Sequence, residues 1–176
     1  HWPTSAVEAL GRAMRRIAAW STGARLIPDY AAALTALRES PGLPGRGVIA
    51  VCDSGGGATT LTLVDGATAG ILGEPVRFPD FSGDLIDQAL LTHVLTLAGV
   101  GPGGTGTFGI GALTRLRAEC RDAKHRLSTQ TVTTVPGGPA GVRGDLRITR
   151  TELDGILRAP LAGMLAALQD TLQRNG

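Results

Sequence analysis

The stretch GVIAVCDSGGGATTLTLVD, running from Gly47 to Asp65, decides how this chain is read. An apolar run, Val48-Ile49-Ala50-Val51-Cys52, ends in an acid, Asp53, and three glycines follow at Gly55, Gly56 and Gly57. Thr59 to Val64 then alternate polar and apolar. Strand, glycine turn and strand make a β-hairpin with a carboxylate at its mouth. Three consecutive glycines remove every Cβ from the turn, so backbone N–H groups can converge on an anion. The neighbouring Asp53 could hold a hydrated cation that offsets phosphate charge. Taken alone, the triplet reads more simply as a flexible hairpin loop.

Around this hairpin, 176 residues and 18.0 kDa suit one domain or two small subdomains. Hydrophobic residues make up 43 % and aromatics only 3 %, so Leu, Val, Ile and Ala must build the core. The net charge of +2 comes without a basic block, and stacking aromatics are scarce, which argues against nucleic-acid binding. No apolar run approaches the ~18 residues that span a bilayer. The opening HWPTSAVEALGRAMRR lacks the apolar core of a signal peptide. Cys52 and Cys120 read as buried small hydrophobes, a disulfide between them is not expected, and a cytoplasmic setting follows.

Upstream, Val7, Leu10, Met14 and Ile17 predict a helix over 4–20, capped by Thr4 or Ser5 and closed by Gly23. Ala24 to Ile27 reads as a short extended run stopped by Pro28, and Asp29 caps a second helix to about Glu39. Ser40 to Gly45 is a loop. Downstream, Ala69 to Phe78 reads as a third strand, antiparallel to its neighbour. Ser82 caps a helix to Ala98 with a stripe of Leu85, Ile86, Leu90, Val94 and Leu97. Gly99 to Gly109 is glycine-rich and expected to be mobile. A further helix over 110–127 places Leu113, Leu116, Cys120, Ala123 and Leu127 on one face. Arg121, Lys124, His125 and Ser128 lie on another. Thr129 to Val135 and Val142 to Ile148 read as a second hairpin turning at Pro136 to Pro139. A last helix starts at Thr149 or Thr151 and reaches Leu172. Its core-facing residues are Leu153, Ile156, Leu157, Leu161, Met164, Leu165 and Leu168, with a kink or restart at Pro160.

This order of elements resembles lobe II of the nucleotide-binding domain in the seventy-kilodalton heat-shock chaperones of the DnaK type, relatives of actins and sugar kinases. Local matches fall in the family's order over nearly the whole chain. His1-Trp2-Pro3 is similar to the V-P-A-x-F strand exit, and Pro28 to Ala33 to N-E-P-T-A-A-A. Asp53 to Ala58 resembles the phosphate loop D-L-G-G-G-T, and Ser82 to Asp87 resembles G-G-E-D-F-D. Cys120 to Ser128 resembles C-E-x-A-K-x-x-L-S, and Ile148 to Leu153 resembles I-T-R-x-x-F. The resemblance implies an α/β fold: half of an actin-like ATPase domain, a mixed sheet packed with helices, with a small protruding α+β subdomain over about 82–148. It also implies ATP or ADP with Mg2+. Ser54, Gly55, Gly56, Gly57, Ala58 and Thr59 would wrap the phosphates, and Asp53 would reach magnesium through water. Gly83 would lie near ribose and phosphate, and Arg121, Lys124, His125 and Ser128 would line the adenine–ribose wall. Asp29 would stand in for a catalytic acid.

The departures bear on activity. Ala58 replaces the threonine ending the family's phosphate loop, though Thr59 follows. Pro28 replaces the glutamate that positions magnesium, with Asp29 one place away. Arg121 reverses the charge of the glutamate that grips the ribose. The family's first phosphate loop, catalytic lysine and closing adenosine loop are not in these residues, which points to a fragment of a longer chain. Two functions therefore stand. One is the ATP-binding second lobe of a chaperone-like ATPase, incomplete as an enzyme alone, with nucleotide completed by lobe I and client or co-chaperone proteins as partners. The other is a degenerate, non-hydrolysing scaffold or regulatory module. A small-molecule kinase of the same superfamily is a third, weaker reading.

Overall fold

The structure is a computed structural model and describes residues 2–20, 24–38, 43–101, 110–138, 141 and 144–175. Among these residues the protein is α/β, with five α-helices and two small antiparallel sheets. Two compact units divide it. The first holds residues 1–53, 60–77 and 170–176, and the second holds 54–59 and 78–169.

The first unit begins with α1, Thr4–Arg15, followed by a 3₁₀ turn over Ala18–Trp20. The helix is shorter than the apolar spacing predicts, and Pro3 rather than Thr4 or Ser5 occupies its N-cap, with no side-chain cap bond. Proline's fixed φ suits a helix entrance, and its carbonyl takes the amides of Ala6 and Val7. Helix α2, Asp29–Arg38, matches the expected second helix, with Leu34 buried. Residues 24–28 carry no regular secondary structure. The closing Gly23 and residues 40–42 of the Ser40–Gly45 loop lie outside the described residues.

The hairpin that opened the sequence reading is present as β1, Val48–Ser54, and β2, Thr59–Asp65. A third strand, β3, Val76–Phe78, completes a sheet in the order β1-β2-β3. The alternation of β2 suggests one wet face, yet Leu61, Thr62, Leu63 and Val64 are all buried, as a central strand requires. The third strand is much shorter than Ala69–Phe78, being preceded only by an isolated antiparallel bridge between Val64 and Ile71. Its interruption has two causes. Pro75 has no N–H to donate, and Gly73 sits at φ +73°, where a Cβ would fall 2.1 Å from Asn175 Oδ1. Cys52, expected inside, is exposed on the sheet's outer strand, while Cys120 is buried. Both are free thiols.

The second unit is built on α3, Gly83–Leu97, and α4, Ile110–Leu127. Strands β4, Val132–Pro136, and β5, Asp145–Thr149, pair antiparallel with Val135 opposite Leu146. Helix α5 runs over Arg150–Asn175 and continues uninterrupted through Pro160; its last six residues belong to the first unit. The core joins Leu90, Leu91, Val94 and Leu95 of α3 to Leu116, Cys120, Ala123 and Leu127 of α4. Val135, Ile148 and Leu153 close it. The α4 face is the one the spacing predicts. The α3 face is rotated: Leu85 and Leu97 are exposed, while Asp87, Leu91 and Leu95 are buried. Apolar residues at 85, 86, 90, 91, 94, 95 and 97 support two overlapping stripes, and packing against α4 selects one. On α5, Leu153 and Met164 are buried, but Leu161 and Leu165 are exposed. The stretch 102–109, expected to be mobile, lies outside the described residues.

Candidate functional site

The glycine turn, residues 54–59, belongs to the second unit, where it meets the start of α3. Gly55 N–H donates to Ala58 O at 2.9 Å and closes the turn. Thr59 is fully buried; its hydroxyl donates to Phe81 O at 2.7 Å and lies 3.2 Å from Ser54 Oγ. One hydroxyl proton serves one acceptor well, so Thr59 acts first as the pin of the turn. Ser54, Gly55, Gly56 and Gly57 are exposed and Ala58 is half-buried.

Helix α3 has the Ser82 cap that the sequence predicts, with Ser82 Oγ accepting from Leu85 N–H at 3.4 Å. The next N–H groups turn toward the glycines. Gly83 N–H donates to Gly55 O at 3.0 Å, and Asp84 N–H to Gly56 O at 2.9 Å. These are three of the donors a helix cannot satisfy internally, and all three are taken. The helix start therefore has none of these three amides left for an anion, and the Gly55 N–H is spent on Ala58 O. A Cβ on Gly56 would lie 3.5 Å from Asp84 Oδ2, and one on Gly83 would lie 3.6 Å from Gly55 O and 3.9 Å from Lys124 Nζ. Turn, helix start and lysine thus lie within van der Waals reach of one another at these two glycines.

Lys124 reaches this place from α4, 41 residues further on, donating to Gly83 O at 3.2 Å. Its ammonium also lies 2.5 Å from Asp87 Oδ1, close enough for an ion pair although no donor meets that oxygen in hydrogen-bond geometry. Arg121 Nε donates to Asp87 Oδ2 at 2.9 Å, and its Nη2 lies 3.4 Å from Asp84 Oδ1. The Asp87 side chain is only 2 % exposed, against 20 % for Lys124 and 56 % for Arg121. Burial pushes the Asp87 carboxyl up, but the Lys124 and Arg121 bonds and charges outweigh it and hold it below the usual carboxylate range. The same bond raises the Arg121 guanidinium further.

Of the remaining expected residues, two stand at the end of α4 and two belong to the first unit. His125 is exposed, and Ser128 Oγ donates to His125 O at 2.6 Å, spending its hydroxyl on the end of α4. Arg150 Nη1 covers the same end, donating to Leu127 O and Ser128 O, a cation at the negative pole of the helix. Asp29 and Asp53 belong to the first unit. Asp29 Oδ1 accepts from Tyr30 N–H at 2.8 Å, and Asp53 is exposed at the end of β1. Among the described residues no group of three or more His, Cys, Asp or Glu could cage a metal. A hydrated Mg2+ needs no such cage and can be held by one or two carboxylates plus phosphate.

The sequence reading assigns Asp84 and Asp87 no partner, although their spacing carries a signal. Two acids three apart on α3 match two bases, Arg121 and Lys124, three apart on α4. That pattern ties facing helices together once they are known to face. No helix among the described residues is long and apolar enough to cross a membrane. No protein-family model and no curated protein matches this chain.

Proposed function

We propose that this chain is the second lobe of an actin-like, heat-shock-chaperone-type nucleotide-binding domain, cytoplasmic, with residues 82–148 as its protruding subdomain. The observation that carries this reading is the meeting of Lys124 with Gly83 and the glycine turn, from three separate elements of one unit. Phosphates of ATP or ADP would lie against the exposed turn around Gly56, with Lys124 supplying positive charge. Hydrated Mg2+ would be held through Asp53. Catalysis of phosphoryl transfer is positioning and charge stabilisation around phosphate and metal, and one wall alone supplies neither fully. The lobe is therefore a binding half, incomplete as an enzyme on its own.

A second reading, the non-hydrolysing scaffold, draws on a specific observation. Asp87 already engages both Arg121 and Lys124, and the α3 amides already hold the turn's carbonyls. Calorimetric titration of Mg-ATP separates the two. Saturable binding that Lys124→Ala weakens about tenfold, or ~1.4 kcal/mol, is expected for a nucleotide lobe. Heat that never saturates, or binding indifferent to Lys124, would favour the scaffold.

A further inference from the structure

The first unit holds a concave surface that the nucleotide reading does not use. Helix α1, the 3₁₀ turn after it and residues 24–26 border an open cavity of about 560 Å3, within the roughly 300–1,000 Å3 typical of small-ligand sites. Arg12 and Arg15 line it from the helix and Arg25 from the facing stretch. Glu8 is the one carboxylate among the described lining residues. Val7, Met14, Leu26 and Trp20 supply apolar wall. Gly11 stands where helix and stretch approach each other: an added Cβ there would lie 3.6 Å from Arg15 Nη1 and 3.8 Å from Leu26 Cδ1. The Arg15 guanidinium is therefore at the cavity wall.

Charge and shape select the occupant. Glu8 lies 3.8 Å from Arg12 in an exposed pair, so this carboxylate offsets one of the three cations. Among the described residues the guanidiniums of Arg15 and Arg25 have no ion-pair or hydrogen-bond partner. Two uncompensated cations lining one cavity repel each other, and a dianion between them turns that repulsion into attraction. Guanidinium forks suit phosphate oxygens in particular, through paired charge-assisted bonds. Trp20, 50 % exposed, presents ring surface on which a second ring can stack. A flat apolar body also fits beside Val7, Met14 and Leu26, which offer no charge of their own.

We propose that this cavity binds a small aromatic dianion, an aryl phosphate monoester in its simplest form. The phosphate lies against Arg15 and Arg25, and the ring lies on Trp20 beside Met14 and Leu26. A phosphate monoester carries about two negative charges near neutral pH, which matches the two unpaired guanidiniums.

The protein has two tryptophans, and Trp2 lines a separate cavity. Trp2→Phe therefore leaves Trp20 as the only tryptophan and a local reporter. In this background, at fixed ionic strength, phenyl phosphate is expected to change the emission saturably, with a half-point under about 1 mM. Inorganic phosphate lacks the ring and benzyl alcohol lacks the charge, so each should bind at least about tenfold more weakly. Arg15→Gln with Arg25→Gln should weaken phenyl phosphate at least about tenfold and leave benzyl alcohol unchanged. Both arginines are exposed, so the circular-dichroism spectrum of this variant should match that of its parent. Gly11→Leu places a better helix former in the cavity and should weaken phenyl phosphate and benzyl alcohol alike. No saturable response, equal binding of inorganic phosphate or benzyl alcohol, or full binding by either variant overturns the proposal. So does a phosphotyrosyl peptide that binds at least about tenfold more tightly than phenyl phosphate, which would mark a protein partner instead of a small ligand.

Discussion

Asp87 is the residue on which the second unit's polar cluster turns. It is buried, and its two cations come from another helix. Removing one partner of a buried pair costs ~3–5 kcal/mol; Arg121 is more than half exposed, so solvent screens part of this. Asp87→Ala is therefore expected to lose about 2–3 kcal/mol in urea melts, and Asp84→Asn less than about 0.5 kcal/mol. The folded Asp87 carboxyl titrates below its unfolded value, near 3.9. Its stabilising contribution is thus complete above about pH 4 and lost as pH falls through the folded pKa. The stability gap between wild type and Asp87→Ala should narrow in acid melts; a gap constant to pH 2 would show that the carboxylate's charge is not what stabilises. The two thiols give a second contrast. Burial first, then the charges of Asp87 and Glu119, push the Cys120 thiol up to about 12, whereas Cys52 is exposed with its pKa raised by partial burial. A thiol reagent at pH 8 should label Cys52 alone in the native protein and both cysteines in urea.

At the scale of elements, α4 shows how far a helix is written in its own residues. Leu116 is 1 % exposed and belongs to the core, while Arg117 beside it is exposed and donates to Gln88 Oε1. Leu116→Ala should cost ~2–5 kcal/mol, and Arg117→Ala less than about 0.5 kcal/mol. Equal losses in equilibrium melts would contradict the observed face. Helix α5 starts with a reciprocal cap that the sequence carries openly as Thr149-x-x-Glu152. Thr149 Oγ1 accepts from Glu152 N–H at 3.2 Å, and Thr149 N–H donates to Glu152 Oε2 at 2.7 Å. These bonds, chiefly from Thr149, hold the Glu152 carboxyl below its usual range, and His93 Nε2 lies 3.3 Å from its other oxygen. Thr149→Ala is expected to cost about 1 kcal/mol, measured as a shift of the urea midpoint at unchanged slope.

At the scale of the whole molecule, the nucleotide reading carries its own quantitative expectation. Phosphate charge is best held when donors surround it and water is excluded, and one wall leaves the opposite side open. Arg121, which the resemblance would set in place of a ribose-gripping carboxylate, cannot accept from a hydroxyl. The chain alone should therefore bind Mg-ATP with a dissociation constant on the order of 1 mM and show no hydrolysis above background. Micromolar binding lost in Asp53→Ala would overturn this expectation.

The sequence by itself determined the element order, the glycine hairpin, the Ser82 cap and the buried face of α4. Each rests on a local signal: a glycine run, a capping side chain, or apolar residues repeating every three or four positions. Tertiary structure alone decided which of two apolar stripes α3 buries, because both satisfy the helical period and only the partner helix chooses between them. It also decided that Cys52 lies outside, since strand periodicity states which residues share a face but not which strand stands at the edge. The candidate site divided in the same way. The glycine turn and Lys124 were legible as residue types suited to phosphate. That Asp87 would claim both Lys124 and Arg121 followed from the packing of α3 on α4, between residues more than thirty apart in the chain; the matching three-residue spacings take on meaning only once the two helices are known to face.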